Sequence, residues 1–519
     1  MRIRPPHTSP RSLAPVALAT TAVLLTTTAC DGQAASSSST TSTLSLAVMG
    51  TPNSFAPAQL TEGQQAYVWS SLYDTLLLVD DDDGELRPGA AQRWTYSDSG
   101  RTLTLTLRTG MKFSSGSPVT AAAVKATLDL IRTSGQNQTQ LAAVESIDAP
   151  DDRTVVLKLR NPDASLLHAL AGAGGVIADP QTMRTSSSAL NPVSSGPYTL
   201  DKGATVNGSV YVLKRRDDYW NKQAYPFPTV KIKVISDRAA SVNALKAGEI
   251  NAGSVEVQQL SSLKSAGFTT NRIEATSVAT LLLFDRKGEV LKPLGDVRVR
   301  KAINMAFDRE KMVRLFLKGS GKATEQLYHP LAEGYDPALD QTYPHDPAGA
   351  KKLLAEAGYP DGFSVRMPSL YFTKPFEPTI SQSLADIGIK VTWDPVPAQQ
   401  TISALATRKY PMALVIDGLD PIPVQTRDYF SPNGYRNVFA STDPRLTRLL
   451  LKANGETDAS KAAEVYKQID AFTVNNAWTA PVFYIGVHWV TKKGIVFHGD
   501  GSSTQNSLRQ FGLADQAGG

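Results

Sequence analysis

The sequence holds a single cysteine, Cys30, among 519 residues. One cysteine cannot pair within the chain, so no internal disulfide framework is available. A chain this long can bury several cores and needs none. A surplus of one charge sign is also missing. The formal net charge is +5, but Arg2, Arg4 and Arg11 fall in the first 29 residues, where no acid occurs; beyond them 50 Lys and Arg face 48 Asp and Glu. That balance lacks the basic face a nucleic-acid binder presents to phosphate. Signatures of catalysis are absent too. No Gly-x-Ser-x-Gly elbow occurs. Gly319-Ser320-Gly321-Lys322 lacks the leading Gly and trailing Ser/Thr of a phosphate loop, and Gly172 to Gly175 does not complete a dinucleotide fingerprint. His168, His329, His345, His488 and His498 show no metal-ligand spacing. The acidic run Asp80 to Asp83 before Gly84 fails the EF-hand spacing and reads as a solvated turn. The residues point to no enzyme, no cofactor and no metal site.

What is present begins with an export signal. Residues Met1 to Arg11 are basic, and Leu13 to Ala29 follow without a charge. The apolar stretch is short for a bilayer-spanning helix and has the flanks of a signal peptide. Thr27-Thr28-Ala29-Cys30 resembles a bacterial lipoprotein signal, although Thr27 stands where such signals usually carry Leu. That resemblance makes residues 1–29 the signal and Cys30 the lipidation site. Residues 30–43 are small, polar and nearly uncharged, the composition of a flexible tether.

From Leu44 onward strands and helices mix. Leu44, Leu46 and Val48 alternate with small or polar residues, and Thr102 to Leu107 and Thr154 to Leu159 alternate cleanly, so all three read as strands. Further strands are expected at Ser209 to Leu213, Lys231 to Ile235, Gly388 to Val391, Met412 to Ile416 and Ala480 to Val490. Gln64 to Leu78 and Ala459 to Asn475 have helical spacing. Thr120, Asp237, Asp296, Asp308 and Asp346 stand as N-caps of further helices. This order implies α/β lobes. Trp94, Tyr198 and Trp220 read as core residues, and Arg298, Arg300, Lys301 and Arg309 as members of structural ion pairs.

Several short motifs recur in a familiar order. They are Asp83-Gly84-Glu85-Leu86-Arg87-Pro88-Gly89-Ala90-Ala91, Leu107-Arg108-Thr109-Gly110-Met111-Lys112-Phe113, Ser195-Gly196-Pro197-Tyr198 and Ala244-Leu245-Lys246-Ala247-Gly248-Glu249-Ile250. Asp296-Val297-Arg298-Val299-Arg300-Lys301-Ala302-Ile303, with Phe307-Asp308-Arg309-Glu310 behind it, is the most telling. Together they resemble the extracellular solute-binding proteins of family 5, the peptide- and nickel-binding class that serves ABC importers. Departures such as Asn251 after Gly-Glu-Ile fall at capping or surface positions.

The resemblance implies a two-lobed, periplasmic-binding-protein-like fold (type II, cluster C-like) with an extra subdomain on the first lobe. It assigns residues 44–54, 190–277 and 482–519 to lobe I, 55–189 to the subdomain and 278–481 to lobe II. The hinge crossings are then expected at Thr280 to Asp285 and Thr479 to Tyr484. It implies capture of an oligopeptide or similar small solute and delivery to an ABC importer, whose permease and ATPase are separate chains. The alternatives within the resemblance are a nickel or metal-chelate binder, an oligosaccharide binder, and a receptor lipoprotein without a transport role. Asp420, and second Asp417, are the expected partners of a peptide ammonium. Tyr435 and Arg436 are expected near the cleft, with Arg436 able to pair with a carboxylate. Met49, Gly50, Tyr67 and Trp69 are expected on the opposite wall. The expected location is the outer face of the cell membrane, anchored through lipid on Cys30, and the expected state is a monomer.

Overall fold

The computed structural model describes residues 43–514 apart from 53, 82, 503 and 504. Cys30, the signal and the tether up to residue 42 lie outside the described residues. Alternation becomes sheet. In Thr102–Leu107 the three leucines are buried and the threonines are intermediate. This strand is the second of four in an antiparallel sheet that runs Ala91–Ser97, Thr102–Leu107, Thr154–Leu159, Val144–Asp148. A larger, mixed sheet of nine strands forms the spine of the molecule. Thr43–Val48 lies inside it, parallel to Thr229–Val234 on one side and to Ala252–Val255 on the other, with Leu44, Leu46 and Val48 buried. The fold is mixed α/β.

Local capping chemistry sets where most helices start. The Thr120 side chain accepts from the Ala123 amide, Asp237 from Ala240, Asp308 from Lys311 and Asp346 from Gly349. Asp296 accepts from the Arg298 amide and opens Val297–Met305. Each such cap contributes about 1 kcal/mol. The helix expected over Gln64 to Leu78 is cut short: only Ala66–Leu72 is α-helical, and Leu77–Val79 is a strand. Tertiary bonds take over the backbone there. The Gly196 amide donates to the Leu72 carbonyl, the Asp74 amide to Ser195 Oγ, and the Ile177 amide to the Asp74 carbonyl. A Cβ on Gly196 would stand 2.8 Å from the Tyr73 nitrogen, so the Ser195-Gly196 pair docks where a larger residue could not.

The cores separate along the chain. The largest draws on residues 44–232, then only on Ala252, Ile273 and 489–511. Two others lie wholly within 275–484. Two long antiparallel strands, Phe268–Leu283 and Ala480–Lys492, run from the first core into the other two. Their pairing has two irregularities, one between Ala279 and Thr280 and one between Ile273 and Ser277. Ile273 pairs with Val487 and Ser277 with Ile485, so the first strand carries extra residues at this point. Core membership changes at the same place, from Ile273 to Ala275 on one strand and from Trp489 to Tyr484 on the other. Gly486 sits between them. A Cβ there would stand 2.5 Å from the Ile273 carbonyl oxygen and 2.8 Å from those of Glu274 and Ser320, so the crossing requires glycine. This changeover falls before Thr280 on the first strand and after Tyr484 on the second, while the other irregularity, where Ala279 pairs with Phe483 and Thr280 with Pro481, falls at the stretches Thr280 to Asp285 and Thr479 to Tyr484. The crossing lies inside two continuous strands, so secondary structure alone does not mark it.

The arginines of the Asp296–Ile303 motif and its follower are structural, but carbonyls rather than acids take most of their donors. Arg298 is bound to Asp296. Arg300 is buried and donates to the carbonyls of Leu294, Asn476 and Ala477. Arg309 is buried and donates to the carbonyls of Thr324 and Pro481 and to Asn304 Oδ1, with Glu325 3.6 Å away. These bonds pin residues 476–481, the approach to the second long strand.

Candidate functional site

A cavity of about 430 Å³ lies between the first core and the third. One wall comes from the segments around Leu86, Trp94, Tyr96 and Leu167, all packed against the first core. The other comes from Ile422, Ala462 and Tyr466, which belong to the third. The two walls also touch directly. Arg427, on the helix Ile422–Phe430, donates from Nη1 to Ser165 Oγ at 2.9 Å, while its Nε is held by Asp428 at 2.7 Å.

Asp420 lines this cavity, in the turn between the strand Met412–Gly418 and that helix. Its amide donates to Gln425 Oε1 at 3.0 Å, which fixes the turn. Among the described residues no side-chain or backbone donor meets its carboxylate. Burial, with the charges of Asp428, Glu62 and Asp417, pushes the Asp420 carboxyl up to about 7, against the pull of Arg427. Glu62 belongs to the opposite side, where its Oε1 accepts from the Ala173 amide at 2.8 Å. The charge coupling of Glu62 to Asp420 therefore acts across the cleft.

Asp417 and Arg436 come together, with each other rather than with open space. Arg436 Nε donates to Asp417 Oδ2 at 2.9 Å, Nη2 donates to Oδ1, and the Tyr429 hydroxyl also donates to Oδ2. A bidentate, hydrogen-bonded pair of this kind is among the strong ionic contacts. It leaves Asp417 compensated and Arg436 occupied. Tyr435 is 55% exposed, and its ring lies 4.6 Å beneath the Arg436 guanidinium.

The residues expected on the facing wall lie elsewhere. Tyr67 is buried against Trp489 and Phe511, and its hydroxyl reaches Gln510. Trp69 is buried and donates from its indole to the Thr61 carbonyl at 2.8 Å. Met49 is exposed and its amide donates to Gln64 Oε1 at 2.6 Å, while Gly50 faces the Gln65 side chain. None of the four lines the cavity. Tyr198 is a core residue, as expected; Trp220 is partly buried, stacks with Arg108 and donates to Asp74; Trp94 is a cavity-wall residue. Sequence reasoning also missed Asp163, Glu333 and Tyr466 on the walls. Each comes from a different stretch of chain, and no motif links them.

Among the described residues no helix is long and apolar enough to cross a membrane, and no group of three His, Cys, Asp or Glu is placed to hold a metal ion.

Comparison with known proteins places this geometry. Residues 85–468 match the profile of the middle region of the bacterial extracellular solute-binding proteins, family 5. The glutathione-binding protein GsiB of Salmonella choleraesuis is 30% identical over 338 residues, which are 62% of this chain and 63% of that protein. The match thus spans less than two thirds of that relative's length. Two solved structures share the fold: the Helicobacter pylori periplasmic binding protein DppA in complex with the peptide STSA (TM-score 0.75, 21% identity, 91% of this chain and 98% of that one) and the A. tumefaciens binding protein AgaA in complex with agropinic acid (TM-score 0.74, 24% identity, the same coverages).

The raised Asp420 pKa has a consequence for stability. Between about pH 4, where a free Asp titrates, and pH 7, the folded protein binds more protons than the unfolded one, so this group lowers stability as pH rises. Asp420→Asn should therefore melt higher than the unsubstituted protein at pH 8 when no solute is present, with the difference vanishing near pH 4. Differential scanning calorimetry at the two pH values checks this, and equal melting at pH 8 would contradict it.

Proposed function

The chain belongs to the bacterial extracellular solute-binding proteins of family 5, and on that premise we propose that it captures a peptide or similar amine-bearing solute between two lobes and presents it to the permease of an ABC importer. The observation that carries this reading is the Asp420 carboxylate, which lines the cavity without a donor of its own. A ligand ammonium supplies what the protein leaves out. It satisfies the carboxylate, draws the proton off it and offsets the cost of holding a charge there. Because the solute touches both walls, it binds the closed arrangement better than the open one, and that difference in affinity drives closure. The crossing at Ile273 to Ala275 and Gly486 is the place where the lobes turn. The lobe boundaries 44–54 with 190–277 and 482–519, 55–189 as subdomain, and 278–481 belong to the same reading. So does its division of labour: this chain binds, and a separate subunit hydrolyses ATP.

Capture at the outer face of the cell membrane by lipid on Cys30 completes the proposal. A soluble body on a polar tether keeps the solute near the permease.

Two measurements test these statements. With a short peptide that binds the unsubstituted protein, Asp420→Asn should weaken affinity by about 2 kcal/mol, roughly thirtyfold, as for a lost charge-assisted bond. Unchanged affinity in calorimetric titration would remove Asp420 from the site. Cys30→Ala should move the protein from the membrane pellet to the soluble fraction, and continued sedimentation with membranes would refute the lipid anchor.

A further inference from the structure

Among the described residues the walls of the cavity carry seven carboxylates, from Asp83, Glu85, Asp163, Glu333, Asp420, Glu456 and Asp458, and no lysine or arginine. Some of these acids have work inside the protein. Asp83 pairs with Arg87, Asp163 accepts from the Ser165 amide and hydroxyl, and Asp458 caps the helix Ala459–Asn475. Asp420, Glu85 and Glu333 have no hydrogen-bond donor among the described residues. The nearest arginine to Asp420 in charge terms, Arg427, is spent on Asp428 and Ser165, and Arg436 is spent on Asp417. Burial holds the ring of His168, on the same wall, well below its usual pKa, at about 4, so it adds no positive charge near neutral pH. The apolar part of the lining includes the aromatic rings of Trp94, Tyr96 and Tyr466.

A zwitterionic peptide needs an acid for its ammonium and a base for its carboxylate. This cavity offers the first several times over; for the second its described walls hold only His168 and His329, and burial lowers the pKa of both rings. Carboxylates gathered in a cleft with low-dielectric walls focus a negative potential, which draws in cations and repels anions. Aromatic faces are a second feature that favours a cation over an anion or a neutral group. On the reading that the cleft is the solute site, we propose that it selects a small organic polycation: a solute with two or more ammonium or guanidinium groups and no unpaired carboxylate, such as a polyamine-like amine or a short basic peptide amide. Asp420 takes one cationic group, and Glu333, Glu85 and Asp163 surround the path of the others. Zwitterionic and acidic peptides of the same size are rejected, because their carboxylates would enter the cavity without a partner.

Isothermal titration of the full chain in detergent against one scaffold of graded charge tests this. The probes are Lys-Lys amide, Ala-Ala amide, Ala-Ala and Glu-Glu. Affinity should fall in that order, with Lys-Lys amide bound about tenfold or more tighter than Ala-Ala and Glu-Glu not bound. The Lys-Lys amide affinity should also drop as salt rises. Glu333→Gln replaces an exposed side chain with no hydrogen-bond donor among the described residues. It should weaken Lys-Lys amide by about two- to fivefold and leave Ala-Ala amide unchanged. Ala-Ala or Glu-Glu bound as tightly as Lys-Lys amide would overturn the charge selection while leaving solute capture intact. No binding by any of the four would overturn the selection and amine capture together. A Glu333→Gln effect that is equal for both amides, or absent, would also contradict it.

Discussion

The pairing of Phe268–Leu283 with Ala480–Lys492 is the constraint on which the molecule depends. Both strands are long enough to enter three cores, so the backbone ladder that builds each core also ties the cores together. The ladder is interrupted between Ile273 and Ser277 and again between Ala279 and Thr280, and the cores change over at the first of these. Gly486 allows the Ile273, Glu274 and Ser320 carbonyls to approach closer than any side chain would permit. Arg300 and Arg309, spread over neighbouring carbonyls, hold the incoming chain at residues 476–481. On the proposed reading, this crossing is where the two lobes turn.

The cleft beyond that crossing has an asymmetric chemistry. The bidentate pair of Asp417 with Arg436 is complete in itself, and neither residue lines the cavity. Inside the cavity charge of one sign dominates, and Asp420 feels it from both walls. A protein that kept such a site only for stability would be expected to pair or remove these acids, since an uncompensated carboxylate in a protected place costs free energy. Asp420 fits that description, and a ligand that brings the missing charge would offset its cost.

Much of the fold was legible because its determinants are local. An Asp or Thr just ahead of an apolar periodic run is enough to place a helix start, and Thr120, Asp237, Asp296, Asp308 and Asp346 all cap as expected. The alternation at 102–107 and 154–159 likewise marks strands whose leucines are buried. The end of the helix at Leu72 was not legible, because bonds from Ser195 and Gly196, far along the chain, decide it. The cavity shows the same limit more strongly. Asp420 could be singled out from its place after the Met412–Gly418 strand, but Asp163, Glu333, Glu456 and Trp94 share no local pattern with it. Tyr67 and Trp69 lie on a helix whose aromatic residues suit a core as well as a wall, and packing against Trp489 and Phe511 puts Tyr67 in the core.

The most direct test of the whole account is whether the two bodies close on a cation. Small-angle X-ray scattering of the protein with and without saturating Lys-Lys amide reads this as a change in overall size. The account predicts a smaller radius of gyration in the presence of the amide, and no change with Glu-Glu at the same concentration. A radius that stays the same while calorimetry shows the amide bound would contradict closure about the crossing at Gly486.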